Sequence, residues 1–82
     1  MPELFKSELT LSDSGFLFDH NSGLTYTLNV TGQFIFNCME DGLQAVDILG
    51  KIMKEFEVNE DTARKDMDDF YRQLTDMGLI SK

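Results

Sequence analysis

The chain has 82 residues, room for one domain spanning 1–82 and no more. Its 41% hydrophobic content, with 11% aromatic residues, can build a core and is too apolar for a disordered chain. A net charge of -8, from 15 acidic and 7 basic residues, opposes nucleic acid and anionic membranes and favours basic or neutral partners.

The first element is Glu8-Leu9-Thr10-Leu11, which alternates polar and apolar like a short strand. Ser12-Asp13-Ser14-Gly15 is turn chemistry: short polar side chains bond their own backbone, and glycine accepts a positive φ. Phe16-Leu17-Phe18 reads as a second, apolar strand. Asp19-His20-Asn21-Ser22-Gly23 is a second turn of the same kind. Leu24 to Leu28 reads as a third strand, with Leu24, Tyr26 and Leu28 toward the core and Thr25 and Thr27 away from it. Two short turns joining three strands predict an antiparallel meander, with the second strand central and the others as edges.

Asn29 can cap a helix, since its side-chain oxygen accepts from free backbone N–H groups of the first turn. That helix is predicted over Val30–Glu40, with Phe34, Ile35, Cys38 and Met39 on one stripe and Gly32 as a weak point. Asp41-Gly42 stops it. A second helix is predicted over Ala45–Glu55, its stripe Val46, Leu49, Ile52, Met53 and Phe56, weakened by Gly50 and lacking a Ser or Thr cap. A third runs from Glu60 to Met77 behind an Asn59 cap, with Glu60 and Asp61 favouring its positive end and Val58 and Ala63 as a hydrophobic staple. Ala63, Met67, Phe70, Leu74 and Met77 give it the clearest helical period in the chain. Gly78 ends it, and Leu79-Ile80 can fold back on the core. The fold class is therefore α+β, an N-terminal three-stranded antiparallel sheet followed by three helices. So small a sheet must bury its face on those helices.

Catalysis finds little support. His20 is the sole histidine and lies in a polar turn, where a solvated role outweighs that of a general base. His20 with Asp13 and Asp19 has no specific metal spacing. The sole cysteine, Cys38, excludes an internal disulfide and falls on an apolar stripe, as an inert buried thiol does. It also makes a reducing cytoplasm the simplest setting. There is no G-x-S-x-G, G-x-G-x-x-G or Walker loop. Asp66, Asp68 and Asp69 lack an EF-hand's loop glycine and sit mid-helix, as a solvated face does. No cofactor or metal is expected. No basic start leads into an apolar run, so no signal peptide is expected. No apolar stretch is long enough to span a membrane. What remains is shape: an edge strand whose open N–H and C=O groups could accept another strand. An ordinary edge, protected by its shortness, is the competing reading.

Taken in order, "GFLFDHNSGLTYTLNVTGQFIFNCMEDG", a helix, and "FEVNEDTARKDMDDFYRQLTDMGLI" resemble the PqqD-like family. This is the stand-alone form of the recognition element for RiPPs, peptides made on the ribosome and then modified. The carriers are a strand ending in Asp19, Gly23, the Leu28-Asn29 pair, Asp41-Gly42, Phe56-x-Val58, Phe70, Leu74 and Gly78-Leu79-Ile80. Where family members commonly have Ser or Thr near the start of helix two, this chain has Gln44-Ala45.

The resemblance implies a winged helix-turn-helix domain that binds peptide. The leader of a precursor peptide would add as a strand beside Leu24, Thr25, Tyr26, Thr27 and Leu28. Its side chains would meet Met67, Phe70, Tyr71 and Leu74 of the third helix, with Tyr71, just off the core stripe, as the groove-facing aromatic. The implied partner is a modifying enzyme such as a radical-SAM protein, with no nucleic acid and no membrane. The same edge would also allow a homodimer. Two other readings are a winged-helix transcription regulator and a scaffold that only pairs with an enzyme. The first is disfavoured by a third helix carrying twice as many acids as bases.

Overall fold

Turn chemistry decides where this chain reverses. The structure, a computed structural model, describes residues 8–79. Its strands are β1 (Leu9–Leu11), β2 (Phe16–Asp19) and β3 (Thr25–Thr27), paired antiparallel in the order β1-β2-β3. The meander and its central strand are as predicted.

Register sorts the side chains. Leu9 opposes Asp19, Leu11 opposes Leu17, and Leu17 opposes Tyr26, so these share the inner face. Leu17, in the centre, is fully buried, a burial that contributes about 1.5–3 kcal/mol. Thr10, Phe18 and Thr25 line up on the outer face, where Phe16 and Phe18 stay exposed.

Leu24 departs from expectation. Alternation puts it on the core side, yet it precedes the strand and is 55% exposed. The cause lies opposite. Asp19 takes the neighbouring inward position and closes the turn, accepting from Asn21 N–H at 3.0 Å and Ser22 Oγ–H at 2.8 Å. The residue paired across from Leu24 is thus this polar turn aspartate, which donates its N–H to Leu24 C=O at 2.9 Å. Tyr26 is half-buried and Leu28 is buried, as expected.

The helices are α1 (Val30–Glu40), α2 (Ala45–Phe56) and α3 (Glu60–Asp76). Both asparagine caps form: Asn29 Oδ1 accepts from Gly32 N–H at 2.7 Å, and Asn59 Oδ1 from Thr62 N–H at 2.8 Å. Gln44 before α2 makes no side-chain cap bond, which agrees with the missing Ser or Thr. Leu79 N–H bonds Leu74 C=O at 3.0 Å and the Leu79 side chain is buried, so the chain does fold back after α3. Ile80, expected to do the same, lies outside the described residues.

One apolar cluster joins all three helices to the sheet. It holds Ala63, Met67, Phe70 and Leu74 of α3, Ile35, Cys38 and Met39 of α1, and Leu17 and Leu28. It also holds Phe36 and Ile48, two residues outside the predicted stripes. Of the α2 stripe, Ile52 is in the core and Leu49, Met53 and Phe56 pack against it, while Val46 does not. At 100° per residue, Val46 sits about 200° from Ile48. With Ile48 and Ile52 buried at the centre, Val46 points away and is 69% exposed. Gly32 is no weak point: a methyl built on it would stand 3.1 Å from both Phe70 Cε1 and Asn29 Oδ1. Its bare Cα lets α1 and α3 approach.

Candidate functional site

The site begins where β3 becomes α1. Leu28 ends the ladder: its N–H donates to Gly15 C=O at 2.9 Å, and its C=O accepts from Gln33 Nε2–H at 3.0 Å. Gly15 makes room for this clasp. Its φ is +90°, and a Cβ there would lie 2.4 Å from Gln33 Nε2. The clasp and the Asn29 cap together fix the corner at which strand turns into helix, with no loop between.

A groove of about 110 Å³ opens at that corner. Asn29, Thr31 and Gly32 form its α1 wall, and Asp66, Asp69, Phe70 and Gln73 its α3 wall. Phe70 is only 4% exposed, so it serves the core while its ring edge lines this groove at Gly32. On the rim, Asp69 accepts from Lys65 Nζ–H at 2.8 Å. That hydrogen bond holds the Asp69 carboxyl below its ordinary range and the Lys65 ammonium above its own. Asp66 forms no salt bridge among the described residues.

The nine residues named from the sequence separate into groups. Thr25, Tyr26 and Thr27 form β3, and Leu24 and Leu28 flank it. Of the four on α3, Phe70 alone lines this groove. Met67 is 5% exposed and Leu74 is fully buried, so both lie in the core beneath it. Tyr71 lies elsewhere: it lines a separate cavity of about 300 Å³ between α2 and α3, with Val46, Leu49 and Met67. Burial and the nearby Cys38 push its phenol pKa up. The groove's polar lining, Thr31, Asp66, Asp69 and Gln73, was not picked out by an apolar stripe, because these side chains flank that stripe. The usable signal was Asn29 and Gly32 one and four residues after Leu28, with Phe70 across from them.

The remaining chemistry is quiet. Burial raises the Cys38 thiol pKa, which suits an inert thiol. His20 is exposed but held, its Nε2 2.8 Å from Thr10 Oγ1 and its ring edge-on to Phe18 at 4.7 Å. Among the described residues no group of three metal-ligating side chains occurs, and no helix is long and apolar enough to cross a membrane. A DNA-reading role for α3 finds no support. Of its three cations, Arg64 pairs with Glu60 and Lys65 with Asp69, leaving Arg72 against the other acids.

Sheet, groove and helices define a small α+β domain with an open strand edge leading into an inter-helix groove. The chain belongs to the PqqD family: the family described as "Coenzyme PQQ synthesis protein D (PqqD)" matches residues 15–80. Two solved structures are similar. One is TbiB1 in complex with the TbiA(beta) leader peptide, 23% identical, with a TM-score of 0.82 over 98% of this chain and 95% of that one. The other is lasso peptide synthetase B1 complexed with the leader peptide, 26% identical, with a TM-score of 0.77 over 100% of this chain and 94% of that one. No curated protein sequence matches the chain.

Proposed function

We propose that this chain is a non-catalytic, cytoplasmic peptide-binding protein. It captures the leader of a ribosomally made precursor by strand addition and presents it to a modifying enzyme such as a radical-SAM protein. The observation that carries the reading is the open β3 edge running into the Phe70 groove at the Leu28-Asn29 corner. Membership of the PqqD family supports it. So do the two similar structures, each a complex with a leader peptide. Strand addition suits the task, because main-chain bonds supply affinity for many sequences and side-chain pockets choose among them.

On this reading Leu24 to Leu28 form the docking edge and Phe70 the groove floor. Met67 and Leu74 hold Phe70 in place from the core, and Tyr71 serves the α2–α3 face. A homodimer through the β3 edge would compete with the peptide for the same groups. The test is to titrate isotope-labelled chain with a synthetic leader from the precursor gene beside its own, followed by NMR. Amide shifts should concentrate in residues 24–28 and along α3 near Phe70. Shifts confined to α2, or none at all, would sink the proposal.

A further inference from the structure

The ladder between β2 and β3 states which main-chain groups of the edge are open. In an antiparallel pair, opposed residues alternate between those that exchange N–H···O=C bonds and those that do not. Leu28 N–H donates to Gly15 C=O, and Asp19 N–H donates to Leu24 C=O, each at 2.9 Å. The opposed pairs between them are Phe16–Thr27, Leu17–Tyr26 and Phe18–Thr25. Alternation therefore turns the N–H and C=O of Tyr26 inward to Leu17. It turns those of Thr25 and Thr27 outward, to the free edge. The positions on either side are already engaged: Leu24 N–H bonds Ser22 Oγ at 3.2 Å, and Leu28 C=O holds Gln33.

We propose that the docked segment pairs with β3 through the main-chain groups of Thr25 and Thr27, and that its residue opposite Tyr26 is apolar. This rests on the peptide-binding reading above and adds its register and a sequence preference. Opposed residues in a sheet project to the same face. The segment's residues opposite Thr25 and Thr27 therefore share the solvent face, where both threonines are exposed. The residue opposite Tyr26 shares the helix side, where Tyr26 is half-buried against the core. It also occupies a non-hydrogen-bonded position, where paired Cα atoms come closest, at about 4.5 Å. Burial and close approach both favour an aliphatic or aromatic side chain there. The partner is an extended peptide with one apolar residue between two residues that tolerate water.

Amide hydrogen exchange reads this directly on the intact chain, with the synthetic leader of the neighbouring precursor as probe. In the free chain the Tyr26 amide should already be protected, and those of Thr25 and Thr27 should exchange fast. Saturating leader should slow Thr25 and Thr27 by tenfold or more and leave Tyr26 slow. Leader variants with Asp at each position in turn should show one position of strong loss, between two tolerant ones. Two results overturn the register while leaving the function standing. One is leader binding that protects Leu9 and Leu11, the outward residues of the β1 edge. The other is Thr25 and Thr27 amides that stay fast in a saturated complex. Protection of Thr25 and Thr27 in the free chain that rises with its own concentration would make a second copy the occupant, and also overturns the proposal. A leader that binds nowhere removes the function and the register together.

Discussion

The two edges of the sheet are three residues each, and they have different surroundings. β1 and β3 both flank β2, and the same alternation leaves each with two outward main-chain positions, Leu9 and Leu11 against Thr25 and Thr27. β1 is continued at the turn end by His20 N–H bonding Glu8 C=O. β3 is continued by a helix. Just beyond the strand the Leu28 carbonyl is clamped by Gln33, Asn29 caps α1, and the groove with Phe70 opens there. An open edge alone is a liability that shortness keeps in check. On the proposed reading, what fits the β3 edge for docking is the groove that opens beside it. Breaking that corner should therefore disable β3 and spare β1.

The largest effect is expected at Phe70, which belongs to both the core and the groove. Phe70→Ala should cost about 3–5 kcal/mol in urea denaturation, a large share of a small domain's stability. Because that variant risks unfolding, Phe70→Leu is the sharper probe. It should retain most of the stability and still weaken leader binding, measured by calorimetry. Equal leader affinity in Phe70→Leu and wild type would detach the groove from the site.

Next is the clasp. Gly15→Ala puts a side chain at φ +90° and against Gln33. It should cost about 1–3 kcal/mol and free the Leu28 carbonyl. Hydrogen exchange should then rise at Leu28 and around β3, with the β1–β2 ladder still protected. Uniform loss across the sheet would mean that the corner is not a separate unit.

These residues show how much could be read in advance. The meander, the α1 bounds and both asparagine caps were legible because each rests on local chemistry: turn residues, a period, a side-chain acceptor. Leu24 and Val46 were misplaced because a residue's face depends on what lies across from it. Asp19 closes the turn beside Leu24, and Ile48 sets the phase of α2. Gly32 looked like a defect because propensity counts entropy and not the closeness of Phe70. The strand was legible from alternation, and its edge position from the two short turns of the meander. The groove was legible only at Phe70, since its other walls are polar residues with no period of their own, brought together by the strand-to-helix corner.

The two caps separate stability from site. Asn29 and Asn59 make the same bond at the same place in α1 and α3. Each change to Ala should cost about 1 kcal/mol, read as a similar fall in melting temperature. Only Asn29 lines the groove. Asn29→Ala should therefore lower leader affinity by more than Asn59→Ala does at matched stability. Equal affinities would assign Asn29 a purely structural role.

The smallest effects belong to the rim carboxylates, and they divide the same way. Asp69 already holds Lys65, and that hydrogen bond lowers its pKa. A lowered folded-state pKa means a contribution that is present at neutral pH and lost only as the pH falls through the lowered range. Both partners are exposed, so Asp69→Asn should move the acid end of a melting-temperature profile by little more than its scatter. Asp66 makes no such salt bridge among the described residues and lines the same groove. Its charge is open to a Lys or Arg on an incoming peptide, supported by the chain's net charge of -8. Asp66→Asn should slow association with a basic leader by less than tenfold, and added salt should erase the difference. Asp69→Asn should do less, because it removes a charge already balanced. If stopped-flow rates at low salt rank the two variants the other way, Lys65 gives up Asp69 to the peptide on binding, and the paired carboxylate is the one that selects.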